Sequence, residues 1–194
     1  MDGGSTSTRI LWRSDELSSA ERFVGRATAG GWQLEGLVVL PVDGAPAAIR
    51  YEVELDTGWR TQRAEVAVDD GTLRTITFSA DGDGHWDVRG APVEPLDGCI
   101  DVDLGFTPAT NTLQIRRLGL EVGESRSLPV AWLRFPELTV EPLTQTYTRL
   151  GADRWRYASG EFVAELVVDA DGYVLRYGDD LWRAVAHRAL SGDA

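Results

Sequence analysis

The sequence predicts an all-β, antiparallel protein, and three observations carry the prediction. Apolar and charged residues alternate through Ile49-Arg50-Tyr51-Glu52-Val53-Glu54-Leu55-Asp56, which places one set of side chains on each face of a strand. Asp-Gly pairs separate extended apolar runs at Asp70-Gly71 and Asp171-Gly172, where a hairpin needs residues that tolerate positive φ. Seven Trp, five Tyr and five Phe are a generous aromatic supply, and aromatics favour the pleated, half-buried surfaces of sheets.

Taken in order, residues 1–8 are small and polar with two glycines and read as a disordered start. Gly31–Leu40 reads as a strand, followed by Ile49–Asp56. Arg63–Asp69, the Asp70-Gly71 turn and Leu73–Phe78 form a hairpin. Asp81-Gly82-Asp83-Gly84-His85 is a hairpin loop; it is no EF-hand, because Trp86 stands where the sixth position requires glycine. Ile100–Leu104 alternates as a strand, Thr107–Thr112 is a Thr/Asn loop, and an extended return segment ends in Arg116-Arg117. Arg126–Phe135 is a strand whose Pro129 argues for an edge or a bulge, and Leu138–Thr148 is a further extended run broken by Pro142. Phe162–Val168 and Tyr173–Tyr177 flank the second Asp-Gly turn. A short helix is expected near the end, capped by Asp179 or Asp180, with Leu181, Trp182, Val185 and Ala186 on one face. Residues 9–190 thus form a single β domain, with 191–194 as a tail. Tyr51 precedes Trp59 by eight residues and Tyr147 precedes Trp155 by eight, each ahead of a strand–turn–strand unit, so an internal duplication near 45–90 and 141–185 is one reading and the commonness of hairpins is the other.

Composition narrows the function classes. A net charge of −12 opposes nucleic acid and anionic membrane surfaces, both of which need a basic face. All nineteen basic residues are Arg, so Schiff-base and P-loop lysine chemistry is excluded. A single Cys forms no disulfide within the chain, no apolar segment has signal-peptide character, and no window approaches the roughly 20 apolar residues of a membrane span. The expected location is the cytoplasm. One Cys and two distant His build no zinc site, and no cofactor motif is present.

The residues with chemical potential cluster in Leu96–Leu120. Cys99 lacks a base nearby in sequence and reads as a small buried hydrophobe. Asp101 and Asp103, two apart in a strand, share a face at about 7 Å. They suit acid–base work, or the wet face of a strand, or pairing across strands with Arg116 and Arg117 in a fork that fixes geometry. Thr110 and Asn111 suit either a tight turn or hydrogen bonds to a sugar.

Leu96–Leu118, LDGCIDVDLGFTPATNTLQIRRL, resembles the signature of a glycolipid-binding family formerly known as a bacterial domain of unknown function: GC-x-DVD, then a T-P-F-T-N-T-L-P-I-R-R-L run. The likeness extends to Tyr51–Arg63 (YEVELDTGWRTQR), to Gly84–Gly90 and to the Phe162–Tyr177 hairpin, and so from about Trp12 to Arg183. Two positions depart: Ala109 replaces the family's usual Phe, and Gln114 replaces its usual Pro, freeing a backbone N–H and easing entry into the next strand. The resemblance implies a curved sheet or half-open barrel around an apolar core or cavity, similar to bacterial lipoprotein carriers, with at most one or two short helices. It names a lipid or glycolipid as the expected ligand and leaves the oligomeric state open. The residues expected at the mouth are Asp101, Asp103, Thr110, Asn111, Arg116 and Arg117, with Trp59 and Arg63 nearby. Three functions remain in view: a non-catalytic binding protein, a structural or regulatory interaction module held by Asp–Arg pairs, and an enzyme using Asp101 or Asp103 on a small substrate.

Overall fold

A computed structural model describes residues 7–179 and 181–190. The first half of the chain runs through β1 (Ser7–Ser14), β2 (Ser19–Thr28), β3 (Gly31–Val42), β4 (Ala45–Asp56), β5 (Thr61–Asp69), β6 (Leu73–Ala80), β7 (Trp86–Val88) and β8 (Ala91–Pro92). A 3-10 turn at Glu94–Leu96 leads to β9 (Val102–Leu104) and α1 (Asn111–Leu118). The rest is β10 (Ser125–Arg134), β11 (Thr139–Arg149), β12 (Arg154–Ser159), β13 (Phe162–Val168), β14 (Val174–Tyr177) and β15 (Trp182–Leu190).

These strands form one open, curved sheet in the order β8-β7-β6-β5-β4-β3-β2-β1-β15-β14-β13-β12-β11-β10-β9. Two antiparallel meanders leave a common centre, where β1 pairs with β15, and only β9 lies parallel to its neighbour β10. The sheet curls so that β9 and the β10–β11 turn come against β5 and β6. Ile100 O accepts from Thr61 N at 3.3 Å, Thr61 Oγ1 accepts from Val102 N at 3.0 Å, and Arg74 donates to Pro136 O at 3.3 Å.

The alternation in β4 does what the sequence implies: Ile49, Tyr51, Val53 and Leu55 are buried while Arg50 and Glu54 face water. Similar inward rows in β1, β2, β5, β6 and β11–β13, joined by Val174, Tyr177 and Trp182 of β14 and β15, build one core, centred on Trp12, Phe23, Leu34, Phe78, Leu133 and Tyr147. The two prolines that interrupt the later extended runs find a tolerant place. Pro129 pairs with Thr144 beyond the three residues of β10 that meet β9, and Pro142 lies on the stretch of β11 that β12 does not reach.

Three expectations change. Ser7 and Thr8, expected in a disordered start, already belong to β1, and Thr8 is buried; residues 1–6 and the 191–194 tail lie outside the described residues. The expected C-terminal helix is strand β15, with the proposed cap Asp180 outside the described residues. Its partners decide this: Trp182 pairs with Tyr177 of β14, and Arg183–Leu190 ladder onto β1. The extended return to Arg116-Arg117 is instead α1, lodged in the concavity of the sheet with Asn111, Thr112, Leu113, Gln114 and Ile115 buried.

One close approach shapes the interior. Tyr51 lies across Gly36 of β3, where a Cβ would fall 2.1 Å from the ring, and its hydroxyl donates to the buried Glu21 carboxylate of β2.

Candidate functional site

The site grows from β9 and the turn after it. Parallel pairing with Ala131, Trp132 and Leu133 fixes β9 against β10, and Asp101 is tied to the same strand by its carbonyl, which accepts from Ala131 N at 2.9 Å. Thr107 Oγ1 donates to Glu21 at 2.7 Å and accepts from Ala109 N at 3.0 Å, so the loop into α1 is pinned to β2. Burial pushes the Glu21 carboxyl up to about 7, against the pull of its bonds from Tyr51 and Thr107. The helix ends at Gly119, left-handed at φ 55°, with Arg116 and Arg117 in its last turn, where cations suit the dipole.

The two acids go to separate partners. Asp101 is fully buried and held by a fork from Arg117, with Nε to Oδ1 at 3.0 Å and Nη2 to Oδ2 at 2.5 Å. Burial raises its carboxyl and Arg117 opposes the rise. Asp103 is half-buried and accepts from Thr110 Oγ1 at 3.2 Å and from Gln145 Nε2 at 2.5 Å. Burial outweighs these two bonds and pushes it up to about 6. The Asp–Arg pairing imagined across strands therefore runs from strand edge to helix, through Arg117 alone.

Arg116 turns to the opposite end of the sheet. Its guanidinium lies 4.5 Å from the Trp59 ring centroid and 5.2 Å from that of Trp32, and Nη1 donates to Asp171 O at 2.5 Å. Trp59 is buried and stacked on Trp32 at 4.7 Å. Arg63 stands apart from all of these, on the outer face of β5, where it pairs with Glu65 at 3.0 Å. Cys99 is buried with its thiol pushed up to about 11 by burial and by Asp101, and its carbonyl accepts from Trp86 Nε1 at 2.8 Å. The two histidines lie elsewhere, each beside a carboxylate: His85 on Asp81 at 2.6 Å and His187 on Asp169 at 3.0 Å.

Asp103, Asn111 and Thr107 line a pocket of about 460 Å³ at the end of the sheet where the β12–β13 and β14–β15 turns lie. Its walls are aromatic: Trp132, Tyr157, Phe162, Tyr177 and Trp182. Tyr157, Phe162 and Tyr177 touch one another, with centroids 6.0–6.2 Å apart, so they present one continuous wall. Leu17, Leu143, Leu181, Gly105, Pro108 and Ser159 complete the lining, and among the described residues no Arg or His contributes to it. Burial and the Asp103 charge hold the Tyr157 and Tyr177 hydroxyls far above their ordinary range, as neutral groups. A larger groove of about 740 Å³ crosses the outer face of β2–β5, but its walls are charged side chains such as Arg22, Arg50, Glu52 and Glu54. An apolar pocket with a few convergent polar groups is the usual form of a small-ligand site. The sequence pointed to Asp103, Thr110 and Asn111; it missed the aromatic wall, for which its seven dispersed Trp were the one available signal.

An open, curved β-sheet that encloses its own helix and keeps an aromatic, ligand-sized pocket at one end defines the class. The chain belongs to the family described as "Putative glycolipid-binding", whose model matches residues 9–183. It is similar to the crystal structure of a DUF1089 family protein from Pseudomonas aeruginosa, at 32% identity over 86% of this chain and 92% of that one, with a TM-score of 0.77. No curated protein matches the chain. No helix among the described residues is long and apolar enough to cross a membrane.

Proposed function

We propose that this protein binds an amphipathic, glycolipid-like ligand without chemical turnover, in the pocket between β9–β11 and β12–β15, and works in the cytoplasm. The observation that carries the reading is the pairing of a continuous aromatic wall with one half-buried carboxylate, Asp103. Aromatic faces pack against the apolar side of a sugar or against a tail, and the carboxylate and Asn111 accept and donate hydrogen bonds to hydroxyls. Family membership supports the same ligand class. An interaction module is favoured by the buried Asp101–Arg117 pair, which serves the fold whether or not anything binds. In the enzyme reading, Asp103 is the candidate base that remains, because Asp101 is committed to Arg117.

The test is native mass spectrometry of protein purified from its own host without detergent, with organic extraction of any added mass. A bound amphiphile is expected in the wild type and strongly reduced in Phe162→Ala. Protein that carries no ligand and takes up none in calorimetric titration with alkyl glycosides would sink the proposal.

A further inference from the structure

The end of the sheet opposite the aromatic pocket holds another cleft, of about 370 Å³, between the last turn of α1, the end of β11 and the β13–β14 turn. Four half-buried charged residues line it: Arg116, Arg149, Asp169 and Asp171. Small exposed residues at the rim, Ala152 and Ala170, leave these side chains open to a ligand. Both guanidiniums are oriented in advance. Arg116 lies on the Trp59 and Trp32 rings with Nη1 tied to the Asp171 carbonyl, and the β13–β14 turn covers its stem so closely that a Cβ on Gly172 would fall 3.2 Å from Cγ. Arg149 lies 5.7 Å from the Trp155 ring centroid and donates from Nε and Nη1 to the carbonyls of Gly151 and Leu120, at 3.2 and 2.7 Å.

Stacking and bonds to neutral carbonyls orient a guanidinium without neutralising it. Among the described residues Arg149 forms no ion pair, and Arg116 has only Asp171, at 3.6 Å and with a side chain 50% exposed. Asp169 is engaged elsewhere: Oδ1 accepts from Asp171 N and Tyr173 N at 3.0 and 2.8 Å, and Oδ2 meets His187 Nε2 at 3.0 Å. Nε and Nη2 of Arg116 and Nη2 of Arg149 are thus left without an acceptor among the described residues. Free N–H groups on two fixed guanidiniums suit a carboxylate or a phosphate, and the charge balance chooses between them. The two arginines and two aspartates offset one another, so a single added negative charge meets a neutral surround. A phosphate monoester brings about two negative charges against Asp169 and Asp171. The volume lies near the lower end of the range for small-ligand sites and suits a body of a few carbons.

We infer that this cleft is a second binding site, in which Arg116 and Arg149 hold the carboxylate of a small organic acid. It is separate from the aromatic pocket and does not depend on what that pocket binds.

The experiment titrates the whole protein by calorimetry with three probes of similar size: lactate, its neutral amide lactamide, and phosphoglycolate. Lactate is expected to bind saturably and at least about tenfold more tightly than either of the others, the scale of one hydrogen bond between charged groups. Both arginines also hold backbone carbonyls, so the blocking variant is placed on the exposed rim, where the fold tolerates it. Ala170→Glu supplies a tethered carboxylate to the cleft and is expected to weaken lactate by at least about tenfold at an unchanged urea midpoint, while Ala170→Gln, of the same size, binds it as the wild type does. Equal affinity for lactate and lactamide overturns the part given to the guanidiniums, and tighter binding of phosphoglycolate overturns the carboxylate class. Lactate bound equally by Ala170→Glu and Ala170→Gln lies outside the cleft and overturns the site, as does the absence of saturable binding by any probe. None of these results touches the aromatic pocket, whose function is tested separately by its own ligand.

Discussion

Removing the Arg117 guanidinium decides whether its contact with Asp101 holds the fold. Asp101 is fully buried and Arg117 keeps 20% of its side chain in water. Arg117→Ala strips the fork from the carboxylate and leaves it under the sheet without a cation. Breaking a buried pair from one side costs about 3–5 kcal/mol, and the partial exposure of Arg117 places this case near about 3 kcal/mol. Asp101→Asn in the same chain removes the stranded charge, so the double variant is expected to recover about 1–2 kcal/mol over the sum of the single losses. Urea unfolding at pH 7, followed by tryptophan fluorescence, reads both as shifts in midpoint at constant slope. The sign with pH follows from burial: the folded-state carboxyl of Asp101 is already raised, and without Arg117 it rises further. A group raised on folding contributes stability below its unfolded value and loses it as pH passes its folded value, so the deficit of Arg117→Ala shrinks in acid and grows toward neutral pH. An Arg117→Ala protein as stable as wild type at pH 7, with no change of that difference in acid, would refute the reasoning.

Two further predictions concern β2–β4. Glu21, raised on folding from 4.5 to about 7, stabilises below about pH 4.5 and loses on the order of 3 kcal/mol of that stability as pH rises through 7. Glu21→Gln is expected to shrink the gap between urea midpoints at pH 5 and pH 8, and an unchanged gap rules Glu21 out as its source. Gly36→Ala is expected to cost about 1–3 kcal/mol in thermal or urea unfolding because its Cβ would enter the Tyr51 ring. In a Tyr51→Ala background the same change is expected to cost far less, and equal cost in both backgrounds would rule out the ring as the cause.

Much of the fold was legible because a strand with one buried face writes its period into the sequence. Ile49–Asp56 and Leu73–Phe78 needed nothing beyond that. Two segments misled, each for a definable reason. In β15 the ladder slips opposite Leu11 and Trp12: Ala186 pairs with Leu11 and Ala184 with Trp12, leaving Val185 as the extra residue. That bulge shifts the phase of the alternation, and Leu181, Trp182, Val185 and Ala186 then imitate a helical face. In α1 the signal was erased by burial on most sides: Leu113 and Ile115 alternate as in a strand, while Asn111, Thr112 and Gln114 are buried inside the sheet instead of facing water. The site was half legible for the same reason. Asp103, Thr110 and Asn111 lie close together in sequence, whereas Trp132, Tyr157, Phe162, Tyr177 and Trp182 stand on five different strands and converge only once β10 and β12–β15 are in place.

The contact of Tyr51 with Gly36 also answers a question that alternation leaves open. A slip of one residue between β3 and β4 would turn every apolar side chain to water, but a slip of two restores the pattern and goes unpunished by burial. Here a slip of two would bring Leu34 or Val38 opposite Tyr51 in place of Gly36, and a branched side chain would occupy the space of the ring. The same ring ends on Glu21, which pairs with Val38 two positions along β3, so the choice extends across three strands. One missing side chain thus acts as an indexing notch that admits a single alignment of the meander.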